Sequence, residues 1–288
     1  MKALWLHRAP VRAAAPLIVF CNGWGMDERA VAHLDGAGCN VLCLYDYRSP
    51  TLPDGLREEL AALLRKSENT ACKAAKTTSG KGTEEQADAD RPEEHRAAAQ
   101  TQAPCILIAW SLGVFMSTFV RRQLPFLTFD VTLACNGTPR PVDAAYGIPP
   151  AVYEATEQTL SPVVRDAFMA NAGMDGGLCR QCVDDLREEL TAVRLLAHAE
   201  SQKDAPKDAP PNAPKNAQNA TRKEPVEEQE ALPCAFDAAL ISRKDRIFSA
   251  RNQKRWWQSC PRTRIIMQEG GHYPFAGLRS WLELAHVY

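Results

Sequence analysis

Two long stretches of this chain have almost no large apolar side chains. From Ser67 to Ala103 there is no Val, Ile, Leu, Met, Phe, Trp or Tyr, and from Glu200 to Glu230 only Val226 interrupts the same absence. Neither stretch can bury enough surface to offset the entropy of ordering it, so both are expected to be mobile insertions. The second carries a degenerate repeat, KDAPKDAPPNAPKNAQNA. Charges within the two nearly balance, which suits solvated spacers better than acidic or basic tails. Without them roughly 220 of the 288 residues remain, the size of one compact domain.

Other absences narrow the class. No apolar run approaches the roughly 20 residues needed to span a bilayer. The net charge is −1 and the pI about 6.6, so no overall basic field points to nucleic acid. The N-terminal stretch superficially resembles an export signal, with Arg12 ahead of Leu17-Ile18-Val19-Phe20. It lacks a small residue before Cys21 and runs straight into a glycine turn, so it reads as a core strand. Of the ten cysteines, Cys21, Cys43, Cys105 and Cys135 lie in apolar runs, as small hydrophobes do in a reducing cytoplasm. Cys179 and Cys182 form a lone CxxC with no second pair and no histidines at zinc spacing. The expectation is a cytoplasmic protein with no metal and no cofactor.

What remains alternates strand and helix. Strands are expected at Ala3–His7 (an edge), Leu17–Cys21, Val41–Tyr45, Ile106–Ala109, Val131–Cys135, Ala239–Ser242 and Ile265–Met267. Helices are expected at Leu56–Leu64, from Leu112 to about Gln123, and at Leu278–Ala285. Continuous apolar strands separated by helices imply an α/β protein with a mostly parallel sheet covered on both faces. Between Pro139 and Ala199 the pattern changes to helices broken by Pro and Gly, the place for a lid. The organisation is therefore residues 1–138 as the first part of the core, holding the insertion 67–103. Residues 139–199 form a helical lid, 200–232 a low-complexity insertion, and 233–288 the second part of the core.

Four features carry chemistry. Ala109-Trp110-Ser111-Leu112-Gly113 is a strand, sharp turn and helix start with serine at the apex, as a hydrolytic nucleophile is presented. Ser111 could instead merely cap its helix. Ala109 stands where the first glycine of that motif usually lies, and a side chain at Gly113 would crowd the tight turn. A serine hydroxyl needs a base in reach and a group to hold that base. His272, in Gly270-Gly271-His272-Tyr273-Pro274-Phe275, has flanking glycines that let the backbone turn sharply. Among the other histidines, His7 and His33 precede the serine, His95 lies in an insertion and His286 near the tail, leaving His198 as the competitor. Asp245, after the strand ending at Ser242, would accept from the imidazole and fix its tautomer. Asp143 and Asp237 are weaker candidates. The backbone N–H groups of Leu112 and of Trp24, in Asn22-Gly23-Trp24-Gly25-Met26, would form an oxyanion hole. The Trp24 indole is expected to wall the acyl site, and Trp110 to do similar work beside Ser111.

The segments around Trp24, Ser111 and His272, together with Asn136-Gly137-Thr138-Pro139 and Tyr146-Gly147-Ile148-Pro149-Pro150, resemble the BioG family. These are pimeloyl-[acyl-carrier protein] methyl ester esterases of biotin synthesis with an α/β-hydrolase fold, and the resemblance runs through most of the core. It implies Ser111, Asp245 and His272 as catalytic triad and Trp24 with Leu112 as oxyanion and substrate contacts. It also implies an acyl carrier protein as partner, with no nucleic acid and no membrane, and a monomer. The alternative on the same residues is a generic short-chain carboxylesterase or thioesterase. Because carrier proteins are acidic, a cationic rim is expected. Arg121, Arg122, Arg180, Arg187 and Arg194 are its candidates, in a chain where arginine outnumbers lysine outside the insertions. Codon bias would produce the same excess. The two insertions depart from the family pattern.

Overall fold

The computed structural model describes residues 1–10, 15–65, 103–174, 176–203 and 236–285. The two apolar-poor insertions, with His95, lie almost entirely outside the described residues, as does His286.

Seven strands form one sheet: β1 (Lys2–His7), β2 (Leu17–Cys21), β3 (Asn40–Tyr45), β4 (Cys105–Trp110), β5 (Val131–Cys135), β6 (Ala238–Ser242) and β7 (Arg264–Gln268). Their order across the sheet is β1-β3-β2-β4-β5-β6-β7. The edge strand β1 is antiparallel to β3, and every other neighbouring pair is parallel. The expected α/β architecture is borne out. β2 (LIVFC) and β4 (CILIAW) are buried at every position, because parallel strands at the centre of such a sheet have no face toward water.

The helices are α1 (described over residues 56–65), α2 (Leu112–Gln123), α3 (Pro150–Thr159), α4 (Pro162–Ala172), α5 (Val183–Lys203), α6 (Ala250–Gln258) and α7 (Trp281–Ala285). The chain moves from β2 outward to β3, then returns to the other side of β2 as β4. The carboxyl ends of β2 and β4 therefore flank a topological switch point, where open α/β sheets leave a crevice for ligands. The turn holding Trp24 leaves β2 and the turn holding Ser111 leaves β4, so both meet at that crevice.

Three elements differ from the sequence reading. Helix α5 continues through Glu200 to Lys203, so the helical segment does not stop at 199. The Glu200 carboxylate is the reason: it binds Arg122 of α2 at 2.9 Å and Lys203 at 2.7 Å. Helix α6 falls where none was expected. Helix α7 starts at Trp281 and not at Leu278, because the Ser280 hydroxyl accepts from the Glu283 N–H, 3.3 Å away, and caps it there.

Candidate active site

Ser111 follows the last residue of β4 with φ +58°, a left-handed conformation that turns its side chain out of the sheet. Its hydroxyl makes no cap bond to α2. Instead Ser111 Oγ lies 2.8 Å from His272 Nε2. His272 Nδ1 lies 2.9 Å from Asp245 Oδ2. All three side chains are buried. Residues from the ends of β4, β6 and β7 are thus in one hydrogen-bonded line, 161 and 27 positions apart in the chain.

Each member is held by its neighbours. Asp245 Oδ1 accepts from the N–H groups of Ile247 and Phe248 at 2.8 and 2.9 Å, while Oδ2 also accepts from Gln253 Nε2 at 3.0 Å. Four donors, counting the imidazole, fill a carboxylate that has no room to rotate. The imidazole stacks on Phe248, with interplanar angle 6° and centroids 6.1 Å apart, and the tilted Trp110 ring has its centroid 5.6 Å away. The His272 carbonyl accepts from Trp110 Nε1 at 2.9 Å and from Asn136 Nδ2 at 2.8 Å. Trp110 therefore fixes the histidine loop and does not wall the acyl site, contrary to the expectation for it. Buried as the last residue of β4, its indole N–H needs a partner, and the loop carbonyl is the one within reach. Asn136, at φ +46°, also binds Ser242 through both ends of its amide and so ties the ends of β5 and β6 to that loop.

The competing residues lie elsewhere. Asp143 caps a turn through the N–H groups of Ala145 and Tyr146. Asp237 binds Thr132 at the opposite end of β6. His198 pairs with Gln202 on the exposed side of α5.

Above Ser111 a cavity of about 250 Å³ is roofed by α3, α4 and α5. Trp24, Ser111 and Leu112 form its floor, and Val152, Tyr153, Phe168 and Leu190 give it an apolar roof, with Arg246 and Ile247 on one side. That volume lies below the range of drug-sized pockets and suits a single flexible acyl chain. No acceptor among the described residues takes the backbone N–H of Trp24 or of Leu112.

A contact not foreseen from sequence fixes the Trp24 turn. Trp24 Nε1 donates to the Leu186 carbonyl at 3.0 Å, and Glu189, fully buried on α5, accepts from Gly25 N–H at 3.2 Å and Tyr47 N–H at 2.9 Å. Burial pushes the Glu189 carboxyl up to about 7 from its usual 4.5. The folded protein thus holds a proton that the unfolded chain releases, and stability attributable to Glu189 falls as pH rises from about 4.5 to about 7. Glu189→Gln removes the ionisation and keeps one of the two acceptor oxygens, so it adds a fixed cost that does not vary with pH. Urea melts at pH 5 and pH 7.5 should show the variant gaining on the wild type at the higher pH; parallel behaviour would refute the assignment.

A mostly parallel sheet with a serine turn after a central strand and an acid and a histidine on later strand ends defines an α/β hydrolase. The sequence matches the alpha/beta hydrolase family over residues 18–283, and the chain belongs to that family. Among solved structures, BioG from Haemophilus influenzae superposes with TM-score 0.60 and 21% identity, covering 99% of each chain. The resemblance read from the motifs thus has its counterpart in the fold. A lipase-esterase related protein from Clostridium acetobutylicum superposes with TM-score 0.50 and 11% identity over 94% of this chain and 92% of its own. A malonyl-[acyl-carrier protein] O-methyltransferase from Bacteroides fragilis is 24% identical over 92% of this chain, which spans 40% of that relative's length. Among the described residues no helix is long and apolar enough to cross a membrane.

Proposed function

We propose that this protein is a serine esterase that removes the methyl ester from pimeloyl-[acyl-carrier protein]. The observation that carries the esterase reading is the line from Ser111 Oγ through His272 to Asp245, with contacts of 2.8 and 2.9 Å, opening into an apolar cavity. In this reading Ser111 attacks the ester carbonyl as His272 Nε2 takes its proton. Asp245 keeps the imidazole in the Nδ1–H tautomer and stabilises the imidazolium. The N–H groups of Trp24 and Leu112, which no acceptor among the described residues takes, receive the developing oxyanion. The imidazolium then protonates the departing methoxide oxygen, so that methanol leaves, and water clears the acyl-enzyme by the same route. The carrier protein, met by a single copy of the chain, is the partner in this reading, and the cytoplasm is its place.

The substrate rests on the BioG likeness and on the Bacteroides fragilis relative. Its name describes making a methyl ester on a carrier-linked acid, the kind of bond this site would open. The alternative, a short-chain carboxylesterase or thioesterase, uses the same residues and needs no carrier. Purified protein should hydrolyse carrier-linked pimeloyl methyl ester with kcat/KM about 100-fold or more above that for p-nitrophenyl butyrate. Turnover of the small ester alone would leave the alternative standing. In cells, the wild type should rescue a biotin auxotroph lacking its esterase, and Ser111→Ala should not.

A further inference from the structure

Of the arginines that the sequence offers for a cationic rim, Arg121 has a partner within the molecule and three more are engaged as follows. Arg187 binds Asp184 and the Leu160 carbonyl, Arg194 binds Glu157 through two nitrogens, and Arg122 binds Glu200. A different surface carries unanswered positive charge. Arg246, Arg251, Lys254 and Arg255 are all exposed, and no carboxylate or other side-chain partner among the described residues meets any of them. The chain as a whole has net charge −1, so this is a local arrangement and not a general excess.

The pattern follows from how α6 is built. Asn252, Gln253, Trp256 and Trp257 face inward, and each binds or packs beside the site. Asn252 holds the Gly147 carbonyl at 2.9 Å, Gln253 the Asp245 carboxylate, and Trp257 the Gly137 carbonyl at 3.1 Å, while Trp256 packs on Tyr146. At 3.6 residues per turn, Arg251, Lys254 and Arg255 must then share the opposite, solvent face. They lie within about 6 Å of one another along the axis, inside one Debye length, and act as a single patch. Arg246 links this patch to the reaction, since it lines the cavity above Ser111. Nearby acids do not cancel it. Asp245 is buried on His272, Asp143 is turned onto its own backbone, and Glu269 is shared by Arg243 and Lys244.

We propose that the exposed face of α6, continued by Arg246 to the cavity mouth, is the docking surface for the acidic carrier protein that brings the acyl ester. This rests on the methyl esterase reading for its choice of partner. A negatively charged protein is steered to this face, and the cavity it rims receives the acyl chain.

The test is binding of fluorescently labelled holo-acyl carrier protein to wild type, to the triple variant Arg251→Glu, Lys254→Glu, Arg255→Glu, and to Arg262→Glu with Arg264→Glu. Both of the latter residues are exposed at the start of β7, the end of the sheet remote from the site. Thermal unfolding of each variant reports that the fold is intact. The triple reversal should weaken Kd at least about thirtyfold and flatten its salt dependence, and the remote pair should change it less than about threefold. Equal loss in both variants, equal binding by all three proteins, or no binding by wild type would overturn the proposal. Turnover of the carrier-linked ester is read separately. If wild type binds the carrier through this face yet leaves the ester intact, the esterase reading fails and the surface stands.

Discussion

Ser111→Ala is expected to lower kcat toward any ester by about 10⁴- to 10⁶-fold, and to abolish labelling by a fluorophosphonate probe. The same change should move the melting temperature by no more than about 3 °C. Both halves follow from the geometry of one residue. The hydroxyl accepts no hydrogen bond from the N–H groups at the start of α2, so its removal uncaps nothing. Alanine meets the same φ of +58° that serine already tolerates, so no new strain arises. What is lost is the 2.8 Å contact to His272 Nε2, worth about 1 kcal/mol to folding and, in the proposed reaction, the nucleophile itself. A serine that only capped its helix would behave the opposite way, with about 1 kcal/mol of stability lost and activity kept. The two outcomes do not overlap. His272→Ala should match Ser111→Ala in kcat, and the double variant should be no worse than either, because the two groups act as a unit. Retention of more than about 1% of kcat by Ser111→Ala would remove the triad from the reaction.

Much of this arrangement was legible because strands and turns leave local signals. Seven apolar runs mark the seven strands, and Gly-rich turns after β2, β4 and β7 mark the places where side chains leave the sheet. Chain order then selected Asp245 and His272, the residues found in contact with each other and with Ser111. Helix α6 was not legible, since its sequence, ARNQKRWWQ, turns Asn252 and Gln253 inward. A search for apolar periodicity finds only the two tryptophans. The N–H groups of those inward amides are met by acceptors brought from elsewhere, the Asp245 carboxylate and the loop around Gly147, and no local pattern announces such partners. Glu189 was hidden for the same reason. In DDLREEL it reads as one more acid on a solvated helix face, and only the backbone of Gly25 and Tyr47, more than 140 residues away, makes it a buried acceptor. Trp110 was misread because its place beside Ser111 in sequence gives no hint that its ring turns toward the histidine loop.

Gly113→Ala is the second change expected to have a large effect, and competing magnitudes decide its sign. Alanine in a helix is favoured over glycine by about 1 kcal/mol, and Gly113 is the second residue of α2, so propensity alone would stabilise. A Cβ at this position, however, would sit 2.2 Å from the Cys21 carbonyl oxygen and 2.5 Å from that of Asn22. Both are backbone atoms at the end of β2, with no side chain to swing aside. Overpacking typically costs about 1–3 kcal/mol, and contacts this short to backbone atoms belong at the top of that range, so the net loss should be about 2 kcal/mol. The crowding is thus against the neighbouring strand more than within the serine turn. That location ties stability to chemistry, because the first turn of α2 and the end of β2 carry the N–H groups of Leu112 and Trp24. Relief requires the two to move apart, and an oxyanion hole works only while both donors reach one oxygen. Loss of one donor costs about 100- to 1,000-fold in rate, so kcat toward p-nitrophenyl butyrate should fall at least about 100-fold in protein that still folds. Gly137→Ala provides an independent approach to the same turn, since its Cβ would lie 2.4 Å from the Ser111 carbonyl oxygen. A Gly113→Ala protein that is more stable than wild type and fully active would mean that helix and strand are not in contact here. The two amides could not then be held to a common point by this glycine.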